Sequence, residues 1–135
     1  MKPNRIFSLL LSLLFIQQVI AQNLTISASG GDVGPISGTN WGISANVLYV
    51  GSSGSASINT SVITNHLANT GDLTINLPGQ LNVARIIYIN NTIAYSGSSA
   101  RTLTFQSGND IVFANAVGIT SATASLNIVL RSATT

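Results

Sequence analysis

The chain has no cysteine and no glutamate, and only 6% of its 135 residues are charged. Without cysteine there is no disulfide, no thiolate metal ligand and no lipid attached through a thiol. The acids are Asp32, Asp72 and Asp110, the bases Lys2, Arg5, Arg85, Arg101 and Arg131, and the single histidine is His66. Enzyme chemistry draws on titratable groups that converge on one point, and a metal needs three or four ligands. So sparse a set excludes most such constellations. The sequence assigns no catalytic, cofactor-binding or metal residue and predicts a non-enzyme.

What is present begins with an address. Lys2 and Arg5 precede an apolar run from Ile6 to Ile16, followed by Gln17, Gln18 and Val19-Ile20-Ala21. This is the layout of a secretory signal peptide, with cleavage expected after Ala21 and a secreted or cell-surface destination. The run is shorter than the roughly 20 residues of a membrane span, so no transmembrane segment is expected in the mature chain. From Gln22 onward three arginines balance three aspartates. The net charge of +2 therefore belongs to the address. A nucleic-acid partner, which needs several bases on one face, is excluded.

The remainder is rich in Ser, Thr, Asn and Gly and shows no helical apolar spacing backed by helix formers. Apolar and polar residues alternate in Leu73-Thr74-Ile75-Asn76-Leu77, in Leu103-Thr104-Phe105 and in Leu126-Asn127-Ile128, with Val129 expected to face outward. These are half-buried strands. Turn signals separate them at Gly71-Asp72, Pro78-Gly79, Ser96-Gly97 and Gly108-Asn109-Asp110.

The strands also recur in order. Ile87–Tyr95 overlays Ile111–Ile119 at an offset of 24 residues, and Ile58–Val62 is a weaker copy. Each copy is followed by a similar strand, Val62 to Leu73, Ile93 to Leu103 and Val117 to Leu126, at gaps of 11, 10 and 9 residues. Such a period predicts an all-β solenoid, a right-handed parallel β-helix of about three coils, with a β-sandwich as the alternative. Asn59, Asn90 and Asn115 are the candidates for left-handed corners. The expected organisation is a signal peptide over 1–21, an N-terminal cap or lead-in over 22–50 containing Pro35 and Trp41, and β-helix repeats over 51–135, truncated at the C-terminus. An uncovered last coil would present open strand edges and self-associate.

In this order the segments resemble the repeats of large bacterial exoproteins related to filamentous haemagglutinin. Trp41-Gly42-Ile43-Ser44 is similar to their lead-in. Ala56–Ile63 and Leu67–Ile75 are similar to the first coil, Arg101–Val112 to the most recognisable segment, and Leu126–Leu130 to its close. The resemblance implies a right-handed β-helical adhesin, although the Asn-Pro motifs of partner-pore secretion are missing from this chain.

Other candidates give way to plainer readings. His66 reads as a lone surface histidine between two strands, and Asp72 and Asp110 as turn residues. Gly30-Gly31-Asp32-Val33-Gly34 lacks the Gly-Lys-Ser/Thr ending of a phosphate loop and reads as a flexible lead-in. Tyr49, Tyr88, Tyr95 and Trp41 could form a sugar-stacking platform but read more simply as packing residues. One Thr102-Leu103-Thr104 makes no ice-binding ladder. The function expected is weak, multivalent adhesion by a polar face, with glycans or surface proteins as partners and no cofactor. The alternatives are a structural stalk or matrix element, a non-functional gene fragment and, remotely, a carbohydrate-active enzyme.

Overall fold

The computed structural model describes residues 21–29, 31–34, 37–51, 54–77 and 84–132. The expected signal peptide up to Ile20, Gly30, Pro35 and the expected Pro78-Gly79 turn lie outside these residues. In chain order the elements are β1 (Leu24–Ser27), β2 (Ser37–Gly38), β3 (Trp41–Ser44), β4 (Val47–Val50), β5 (Ala56–Asn59), α1 (Thr60–Asn69), β6 (Leu73–Leu77), β7 (Ile87–Ile89), β8 (Ile93–Tyr95), β9 (Arg101–Ser107), β10 (Ile111–Phe113), β11 (Ile119–Ser121) and β12 (Leu126–Ser132). They form a four-stranded sheet ordered β10-β7-β1-β5, a two-stranded sheet β11-β8 and a six-stranded sheet β12-β9-β6-β4-β3-β2.

This corrects the expectation of an all-β parallel β-helix. The described residues form three sheets with both parallel and antiparallel strands and one helix, a mixed arrangement nearer to the sandwich alternative. Two local features overturn the uniform coil. The first is α1, unexpected because Thr, Ser and Asn are poor helix formers. Its support is tertiary: Val62, Ile63, His66 and Leu67 form one buried face. The Asn59 side chain caps the N-terminus by accepting from the Ser61 N–H at 2.9 Å. At the other end the Arg101 Nε–H donates to the Leu67 carbonyl at 2.8 Å, placing a cation at the negative pole of the helix.

The second is the antiparallel run β2-β3-β4. Ala45 and Asn46, both at positive φ (49° and 64°), join Ser44 to its partner Val47. Two consecutive left-handed residues make the tight hairpin turn whose twist suits antiparallel strands. The expected asparagine corners are corrected here as well. Among the described residues the left-handed non-glycine positions are Asn40, Ala45, Asn46 and Ala116, whereas Asn59 is extended at φ −80° and serves as a helix cap.

The offset of 24 residues appears in the register of β7 and β10, where Ile87 pairs with Ile111 and Ile89 with Phe113. Beyond it the offset grows to 26, with Ile93 facing Ile119 rather than Val117; in β9 and β12 Leu103 faces Ile128, two residues past its sequence counterpart Leu126. A slip of two keeps every side chain on its own face, so the apolar rows survive it. Leu24, Ile26, Ile58, Ile87 and Ile89 from the four-stranded sheet share one core with Leu48, Leu73, Ile75, Leu77, Leu103 and Phe105 from the six-stranded sheet and Ile63 and Leu67 of α1. Each such side chain contributes roughly 1.5–3 kcal/mol by leaving water.

Candidate functional site

The outward face of the six-stranded sheet carries ordered rows of side chains. Parallel register puts Tyr49, Asn76, Gln106 and Arg131 in one row, and Val47, Thr74, Thr104 and Val129 in the next. Thr102 stands beside Asn127 in a third. Neighbouring strands lie about 4.8 Å apart, so each row is a ladder with that spacing. Tyr49 is 49% exposed. Its ring lies over Gly42 of β3, where a methyl group would come within 2.6 Å of the phenol oxygen. The missing side chain at Gly42 therefore lets the ring lie down on the sheet. One step along the row, the Asn76 Oδ1 atom is buried without a hydrogen-bond partner, a cost of about 1–3 kcal/mol.

A second polar cluster gathers at the end of α1. His66 is 8% exposed, which corrects its reading as a surface histidine. It sits on the inner face of the helix, with Nε2 3.2 Å from Asn46 Oδ1 in the β3–β4 turn. Burial pushes its imidazole below the ordinary value of 6.5, opposed by a smaller upward pull from the Asp72 backbone. The Asp72 carboxylate accepts the Thr102 N–H at 2.8 Å and so ties the start of β6 to β9. A cleft of about 280 Å³ opens beside the helix, lined by Val33, Gly34, Val62, Asn65, His66, Asn69 and Thr70.

Asp32 forms a third. Its Oδ2 accepts the Trp41 indole N–H at 3.0 Å and the Thr39 N–H. Its backbone lies along β5, donating to the Ser57 carbonyl at 3.0 Å and accepting from the Asn59 N–H at 2.9 Å. Gly31 makes that approach possible, because a Cβ there would sit 2.4 Å from the Ile58 backbone. Residues 31–34 are thus an edge cover, not the flexible lead-in that their composition suggested.

The candidate residues are not brought together. Asp32 and Asp72 are each engaged by different backbone N–H groups, and Asp110 lends its carbonyl to the Ile87 N–H. Of the four aromatics, Trp41 and Tyr95 are core residues, Tyr95 also donating to the Ser99 carbonyl at 2.6 Å. Tyr88 stands on the outward face of the other sheet, beside Thr25 and Val112. Only Tyr49 has an open ring on the polar ladder. What sequence reading missed is the Tyr49–Asn76–Gln106 row. Its signal was the outward position of each β4, β6 and β9 alternation, but the strand order needed to align them is not local. Comparison with protein-family models, curated proteins and solved structures returned no match to this chain.

Proposed function

We propose that this chain is an exported, non-enzymatic surface module that binds neutral glycans on the outward face of the six-stranded sheet. The carrying observation is the row Tyr49, Asn76, Gln106: an aromatic ring half-open to solvent and lying over Gly42, with two half-buried carboxamides at the next two register positions. A sugar ring presents an apolar C–H face and a rim of hydroxyls, and an aromatic plane beside amides matches both. The neighbouring Thr74 and Thr104 extend the polar surface. Each contact is weak, so useful adhesion comes from repetition over many copies. The segments similar to filamentous-haemagglutinin repeats point toward adhesion, without the β-helix that the resemblance implied.

The test is binding of the immobilised chain to a panel of neutral and charged glycans, with Y49A and Q106A as variants. Retention of neutral glycans that falls at least tenfold in both variants is the expected result. Equal retention by wild type and variants, binding to protein receptors stripped of glycan, or cleavage of the bound glycan would overturn the reading. N-terminal sequencing of exported protein checks the address: the expected first residue is Gln22, and retention of Met1 in the exported form would contradict it.

A further inference from the structure

We propose that the outer edge of β12 pairs with the same edge of a second copy, about a twofold axis through Ile128. The inference stands apart from the glycan reading. The last three strands are end strands of their three sheets: β10, β11 and β12 each have one neighbour. Every inward residue of the preceding layer is closed over. Ile87, Ile89, Ile93, Tyr95, Leu103 and Phe105 are at most 1% exposed. Their register partners Ile111, Phe113, Ile119 and Ile128 are only half-buried, and Leu130, opposite Phe105, is 52% exposed.

The backbone tells which groups are free. The Ser125 carbonyl accepts the Arg101 N–H, and in a strand successive residues point their backbone groups to opposite sides. Asn127, Val129 and Arg131 therefore face β9, while Leu126, Ile128 and Leu130 direct N–H and C=O outward. The residues with unpaired backbone are those with uncovered apolar side chains.

The occupant follows from the other edges. A head-to-tail stack would need equally free edges at the start of the fold; there the β8 end of the two-stranded sheet has α1 packed against it, and the other two edges are blunted. Gly31-Asp32 lies along β5, and the six-stranded sheet ends there in β2, two residues long. Among the described residues the long free edge is β12 itself, seven residues with no proline and one charge. Its pattern is its own complement in antiparallel pairing. With Ile128 opposite Ile128 of the second copy, Leu126 faces Leu130 and Asn127 faces Val129. Apolar side chains meet on the core side, and each pair with outward backbone groups exchanges two hydrogen bonds. Arg131 then faces Ser125 of the other copy, so the one charge never opposes itself. The six-stranded sheets of the two copies become one, and their polar faces run on across the join.

Sedimentation of the full reading frame, processed by the expressing cell, reads this over a concentration series. The wild type is expected to be a dimer, with L130K and I128P at least tenfold weaker in self-association and unchanged in circular dichroism. Because Ile128 directs its N–H outward, proline there removes no bond to β9. Cysteine variants then read the register in a chain that has no other thiol. N127C mixed with V129C should form a disulfide-linked dimer, and neither variant alone should do so. A wild type that stays monomeric at every concentration overturns the proposal. So does a dimer unaffected by L130K and I128P, or cross-linking of V129C with itself.

Discussion

The two ends of this molecule treat the same physical problem in opposite ways. An edge strand exposes backbone groups that pair with any extended chain. At the β5 edge the chain folds back on itself: Gly31 removes the steric obstacle, and Asp32 bonds the Ser57 carbonyl and the Asn59 N–H while its carboxylate holds Trp41. At the β12 edge nothing among the described residues is laid along the strand, and Leu130 is half in water. Coverage is thus a local achievement, made by a close backbone approach that only glycine permits. The contrast is between an edge that described residues cover and one that, on the pairing proposed above, a second copy covers.

The largest expected effect separates the closed layer from the open one. F105A removes a fully buried ring and should cost about 3–5 kcal/mol in denaturant unfolding. L130A, at the register partner, should cost under about 1 kcal/mol when measured below the concentration of association. Equal losses would break the comparison. Next comes G31V, whose Cβ collides with the Ile58 backbone and lifts the cover from β5. A loss of about 1–3 kcal/mol is expected, together with assemblies larger than the dimer, since a second edge is then free. Unchanged sedimentation in G31V would show that residues 31–34 cover nothing that matters.

N59A should cost about 1 kcal/mol, because the Asn59 side chain caps α1 and also donates to the Ala28 carbonyl at 2.6 Å. This variant shows how the sequence could be read and where it stopped. The alternating segments Leu73–Leu77 and Leu103–Phe105 were legible because their period of two is local and each has one buried face. The β7/β10 offset was legible because similar strands pair with each other. The helix was not, because its residues have weak intrinsic preference and become helical only against the core that β8, β5 and β6 offer. Asn59 looked like a corner for the same reason: Asn favours both left-handed turns and helix caps, and only the following ten residues decide. His66 was misplaced once α1 was missed. The Tyr49 row needed the strand order, which no single segment contains.

The smallest expected effect is a pH slope. His66 has a folded-state value below its unfolded 6.5, so the unfolded chain takes up its proton first as the solution is acidified. Its contribution is fully present above pH 6.5 and is lost as pH falls through the folded-state value. Stability measured from pH 7.5 down to pH 5.5 should therefore decline in the wild type and stay flatter in H66N. An H66N slope equal to that of the wild type would assign the decline to other groups.

The most direct test of the account is amide hydrogen exchange along β12, followed residue by residue at rising protein concentration. An alternation is expected. Asn127, Val129 and Arg131, bonded toward β9, should be protected at every concentration. Leu126, Ile128 and Leu130 should exchange freely when dilute and become protected in step with association. Protection of all six at the lowest concentration, or free exchange of Leu126, Ile128 and Leu130 at the highest, would contradict the claim that a second copy completes this edge.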